Sequence, residues 1–246
     1  MAELRQFPTD WERALAVVAH PDDLEYGAAS AIARWTAEGR HVSYLLVTDG
    51  EAGIDTMAPD VCGPLRRADE EASAAIVGVE SVEFMGRPDG YVVADLDLRR
   101  DLAAYIRRHR PDALISINFR EHWGGLGWNH VDHRETGVAL LDAARDAGNR
   151  WLFTDLTDPV TGEVLAPWSG VKFAAFASSD ESTHAVDITD WIHKGIESLE
   201  AHRTYLDALP PGTAGVDPDP FLRGMAEFTG PRLGVELAVA FEVIDL

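Results

Sequence analysis

Apolar positions along this 246-residue chain fall into two kinds of run. Residues 14–19 (ALAVVA) and 41–48 (HVSYLLVT) are short and almost continuously apolar, as strands covered on both faces are. Residues 81–84, 113–117 (ALISI), 172–178 and 237–243 read as further strands. Between them the spacing turns helical, over 27–38 up to Gly39, 64–77 up to Gly78, 97–108, and 136–147 up to Gly148. Residues 190–209 read as one more helix, with Asp190 as its cap and Pro210-Pro211 as its stop. Residues 211–220 (PGTAGVDPDP) are a loop by composition, either a lid or a linker. Strand alternating with helix predicts an α/β fold, a Rossmann-like and mostly parallel sheet with helices on both faces. In such sheets ligands bind outside the carboxyl ends of the strands. One domain over 1–246 is expected, with 14–145 carrying the site and 150–246 completing the fold more variably.

The polar clusters fall at those strand ends. His20-Pro21-Asp22-Asp23 follows the first buried strand. Zinc takes imidazole nitrogen and carboxylate oxygen, and His20 and Asp23 are three apart in a turn stiffened by Pro21. Asp22, between them, is placed to serve as a general base rather than a third ligand. His130-Val131-Asp132-His133 lies about 110 residues downstream, before a helix. One of its histidines would complete a His₂Asp set, and the other would face the substrate carbonyl. Thr48-Asp49-Gly50-Glu51-Ala52-Gly53 is a strand–helix turn whose glycines permit close backbone approach. No lysine follows it, so a phosphate cradle is unsupported. No GxGxxG follows the first strand, which sets aside a dinucleotide-binding reading. Trp123 and Trp128 flank the second cluster, either as core or as a wall on which a sugar stacks. His41 and His109 read as structural, His122 as a weak site candidate, and His184, His193 and His202 have no metal-like spacing.

Charge narrows the partners. Forty-two acids against 21 bases give −21, a field that repels phosphate backbones and anionic lipid. Neither a nucleic acid nor a membrane is expected as a partner, and the oligomeric state is open. A lone cysteine, Cys62, excludes an intrachain disulfide, and no basic start leads into a long apolar run. A cytoplasmic location is the expectation.

Five ordered segments, AHPDD, TDGEAG, RRADEEASAAIVGV, MGRPDG and HVDHRETG, resemble the LmbE-like, or PIG-L, family of zinc-dependent N-acetylglucosaminyl deacetylases. The resemblance is close over 14 to about 145 and loose beyond. It implies Zn²⁺ (other divalent transition metals fit the same donors) held by His20, Asp23 and His133. It implies Asp22 as general base, a protonated His130 stabilising the oxyanion, and Asp132 orienting its neighbour. Glu51, Arg66 and Asp89 match positions facing the sugar, and Trp128 stands where one branch of the family carries a tyrosine. Asp69 stands where the family usually has Glu, and Thr204-Tyr205 replace a Ser-Gln pair after His202. The implied activity is removal of the N-acetyl group from an N-acetylglucosamine-type amino sugar by a zinc-activated water. A thiol-conjugate amidase of the same fold and a non-catalytic sugar-binding relative are the alternatives.

Overall fold

The computed structural model describes residues 3–123 and 127–246. In chain order the elements are β1 (Arg5–Gln6), β2 (Arg13–Val18), α1 (Asp23–Gly27), α2 (Ala29–Ala37), β3 (His41–Thr48), α3 (Pro59–Ile76), β4 (Ser81–Arg87) and α4 (Leu96–His109). There follow β5 (Ala113–Ile117), α5 (Val131–Gly148), β6 (Phe173–Ala177), β7 (His184–Asp187), α6 (Ile192–Glu200), α7 (Arg203–Leu206), α8 (Pro218–Leu233) and β8 (Ala238–Asp245). They build one eight-stranded sheet in the order β1-β7-β8-β6-β5-β2-β3-β4. Strands β4, β3, β2, β5 and β6 run parallel, whereas β8 is antiparallel to both β6 and β7.

The continuous apolar run of β2 is explained by its two covered faces. Ala14, Ala16 and Val18 pack into one core layer, and Leu15 and Val17 into the other. From β2 the chain steps outward to β3 and β4, then returns to place β5 on the other side of β2. The order of strands therefore reverses at β2/β5, and a crevice opens there at the carboxyl ends.

Several boundaries differ from the sequence expectation. Helix α3 starts at Pro59, with Pro64 inside it, rather than at Pro64. The expected helix over 27–38 is α2, and a separate short helix, α1, begins at Asp23 within the expected loop. Helix α5 begins at Val131, so Asp132 and His133 lie in its first turn, not ahead of it. The expected helix over 190–209 breaks at Ala201-His202, and Asp190 is not its cap. Strand β7, β1 and helix α8 were not expected. Residues 124–126 of the Gly/Trp/His-rich loop lie outside the described residues.

Candidate metal centre and its cavity

Strand β2 ends at Val18, and the chain turns immediately through His20–Asp23. Asp23 Oδ2 accepts hydrogen bonds from the Ala19 and His20 amides at 3.1 and 2.9 Å. That leaves Oδ1 facing His133 Nε2 at 3.1 Å. His20 Nδ1 lies 3.1 Å from His133 Nε2 and 3.6 Å from Asp23 Oδ2. Zinc bonds of about 2.0–2.1 Å at tetrahedral angles place neighbouring ligand atoms about 3.3 Å apart. The two imidazole nitrogens and the Asp23 carboxylate fit that requirement, and their other atoms are held in place. His20 Nε2 meets Asp89 Oδ1 at 3.0 Å and Asp132 Oδ2 at 3.3 Å. His133 Nδ1 meets Asn129 Oδ1 at 2.9 Å, and Asn129 in turn donates to the carbonyls of Asn118 and Arg120. These outer partners fix both tautomers, so that Nδ1 of His20 and Nε2 of His133 are the free donors.

His130 also presents a nitrogen near His20 and His133. Its Nδ1, however, accepts the Asp132 amide at 3.2 Å and caps α5. A capped Nδ1 leaves the proton on Nε2. Burial, and then the charge of His20, push the His130 pKa below its ordinary value. In this arrangement His130 keeps an Nε2–H that it can donate at the cavity.

Asp22 takes a left-handed conformation, φ 91°, which directs its side chain away from the amides of α1. Its Oδ2 pairs with Arg66 Nη2 at 2.8 Å. Burial raises the Asp22 pKa, and Arg66 partly offsets the rise. Asp23 is the opposite case. Burial works against its charge, but His133 and His20 hold its pKa well below the carboxylate range. Adjacent carboxyls are thus separated in proton affinity, as an acid–base group and a ligand need to be.

A cavity of about 810 Å³ opens over these groups. His20, Asp22, Asp23, Arg66, Asp89, His130 and His133 all reach it, with Trp123, Tyr205 and Phe221 among the walls. Not every predicted contact does. Asp132 is fully buried, its oxygens taken by the Gly90 and Val92 amides at 2.7 and 3.1 Å. Glu51 accepts the Asp89 amide at 2.8 Å and supports that loop from outside the cavity. Asp89 Oδ2 accepts the Ala52 amide at 2.9 Å. Arg66 donates through its two Nη atoms to Gly50 O at 3.1 Å, to Pro21 O and to Asp22, while its buried Nε has no hydrogen-bond partner. Trp128 is 62% exposed and stacks beneath Arg134, away from the cavity, and Trp123 takes the wall position instead. Residues 211–220 are neither a linker nor a plain loop. Thr213 and Ala214 line the cavity, Tyr26 Oη donates to Gly215 O at 3.2 Å, and Pro218 already opens α8.

Sequence reasoning missed Asn129, Tyr205, Tyr26 and Phe221. Asn129 was the most accessible of these, since it lies one turn before His133. Tyr205 and Phe221 reach the site only through the course of the C-terminal third.

A sequence profile of GlcNAc-PI de-N-acetylase (PIG-L) matches residues 15–144. Diacetylchitobiose deacetylase of Thermococcus kodakarensis is 28% identical over 233 residues, spanning 92% of this chain and 80% of that protein. The 1D-myo-inositol 2-acetamido-2-deoxy-alpha-D-glucopyranoside deacetylase of Thermobifida fusca is 27% identical over 242 residues, 78% of this chain and 82% of that protein. Among solved structures, N,N'-diacetylchitobiose deacetylase from Pyrococcus horikoshii superposes with a TM-score of 0.82 at 26% identity, covering 96% of this chain and 84% of the other.

Proposed function

Because this chain belongs to the GlcNAc-PI de-N-acetylase (PIG-L) family, we propose that it is a zinc-dependent hydrolase that removes the acetyl group from an N-acetylglucosamine-type sugar. The observation that carries this reading is the convergence of His20 Nδ1, His133 Nε2 and the Asp23 carboxylate at ligand spacing, with the Asp22 carboxylate beside them in one cavity. Relatives that act on N-acetylated sugars support the substrate class. His20, Asp23 and His133 would hold the ion, which when bound supplies Lewis-acid chemistry, acidifying water and polarising a carbonyl.

The chain's own groups divide the remaining work. Asp22 removes a proton from the attacking water through Oδ1, while Oδ2 stays on Arg66. His130 donates its Nε2–H to the carbonyl oxygen as negative charge develops there, a donor worth about 3 kcal/mol of barrier. The proton held by Asp22 then passes to the departing amine nitrogen, giving acetate and the free amino sugar. Asp89 and Asp132 keep His20 oriented. The substrate favoured is a neutral one, of the N,N'-diacetylchitobiose kind. Arg66 is the only lysine or arginine on the cavity wall among the described residues, and it is already engaged.

Acetate release from a panel tests this reading. N-acetylglucosamine, N,N'-diacetylchitobiose and inositol-linked N-acetylglucosamine are compared with a cysteinyl-glucosamine conjugate. Turnover of the N-acetyl sugars, chitobiose foremost, is expected. Cleavage of the cysteinyl amide alone would replace deacetylation with a thiol-conjugate amidase.

A further inference from the structure

Behind the cavity lies a second set of ionisable groups that the chemistry above does not use. Glu25, Glu70 and His202 are all buried, together with Tyr44, Ser73 and Ser198. His202 Nε2 sits 3.6 Å from Glu25 Oε2 and 3.6 Å from Glu70 Oε2. Ser73 Oγ donates to Glu25 Oε1 at 2.5 Å. Burying two carboxylates and an imidazole is costly, and because neither His202 nitrogen makes a hydrogen bond, His202 meets the two carboxylates through charge alone. What Glu70 holds is specific: its Oε2 accepts the backbone amide of Asp22 at 3.1 Å. Asp22 is one of only four non-glycine residues with positive φ among the described residues, a conformation strained for any residue that carries a Cβ. Arg66, one turn before Glu70 on α3, grips the carboxylate of the same residue.

We propose that Glu70 is a positioning residue for Asp22, seated by His202 and fixing the left-handed turn that aims the Asp22 carboxylate into the cavity. Helix α3 thus holds the base at both ends, the backbone amide through Glu70 and the side chain through Arg66. His202 reaches Glu70 from the α6/α7 junction, which links the C-terminal third of the chain to the base. This proposal rests on the reading of Asp22 as the base.

The test compares zinc-loaded wild type, Glu70→Met, Glu70→Gln and Asp22→Asn on N,N'-diacetylchitobiose. Glu70→Met removes the acceptor and is expected to lower kcat about 10²-fold, with KM within about twofold and one zinc per chain retained. Glu70→Gln keeps an oxygen for the Asp22 amide and is expected to recover activity to within a few-fold of wild type. Wild-type kcat in Glu70→Met overturns the proposal. So does a loss of zinc and kcat together, which marks a merely structural role, or a Glu70→Gln as slow as Glu70→Met. If Asp22→Asn stays active, or the wild type turns over no N-acetyl sugar, the reading of Asp22 fails separately. A crystal structure of Glu70→Met then decides the positioning role alone. Asp22 leaving the left-handed region supports it, and an unchanged φ near 91° overturns it.

Discussion

At the scale of single residues, the metal-centre candidates were legible because each lies next to a strand or helix terminus that the apolar pattern marks. His20 and Asp23 follow directly on β2, and His133 opens α5. The intended sugar contacts were less legible, because sequence shows a polar side chain but not what occupies it. Gly50 illustrates the difference. It reads as a place where the backbone approaches a ligand, and the group that approaches is Arg66. A Cβ on Gly50 would lie 2.2 Å from Arg66 Nη1, at a φ of 61°. Gly50→Ala is therefore expected to displace Arg66 from Asp22 and to destabilise the fold by about 1–3 kcal/mol. Urea unfolding and kcat measured on the same preparation check both effects. The tryptophans give a second test. Trp123→Ala should raise KM for the sugar several-fold, whereas Trp128→Ala, on the outer surface, should leave KM unchanged; steady-state kinetics of the pair reads this directly.

At the scale of elements, the long runs were predictable and the interrupted ones were not. The helical spacing of 190–209 continues through His202, yet the helix ends at Glu200 and resumes at Arg203. There the tertiary contact of a buried imidazole with two carboxylates prevails over local propensity. Helix α8 escaped notice because Pro218 and Pro220 fall in a stretch that reads as loop, although proline is at home in a first helical turn. The His202 junction carries a pH prediction. Burial would lower its pKa, but Glu25 and then Glu70 overrule burial and raise it to about 9. A histidine whose folded pKa lies above its unfolded value of about 6.5 stabilises the fold fully below that pH. The contribution is lost as pH rises through about 9. Glu70, whose pKa is raised by burial and by Glu25, acts in the same direction. Thermal midpoints measured from pH 6 to 10 should fall over this window in the wild type and fall less in His202→Gln.

At the scale of the whole molecule, the reversal of strand order at β2/β5 brings together residues more than 100 positions apart, and sequence reasoning anticipated this from the strand-end rule. The outer half of the sheet, with antiparallel β8 between β6 and β7, was not anticipated in its order, because strands of four or five residues carry little pattern. No helix among the described residues is long and apolar enough to cross a membrane. His20, Asp23 and His133 converge from two distant segments, so removing one of them tests the assembled centre. His133→Ala is expected to bind zinc far more weakly, by about 10²-fold or more; full occupancy by elemental analysis after dialysis would remove it from the ligand set. The most direct measurement is acetate release from N,N'-diacetylchitobiose by zinc-loaded wild type and Asp22→Asn, with zinc content determined on both. Equal zinc, turnover in the wild type and a loss of about 10²–10⁴-fold in Asp22→Asn are predicted. Near-normal turnover in Asp22→Asn at equal zinc would contradict the role assigned to the residue on which this site is organised.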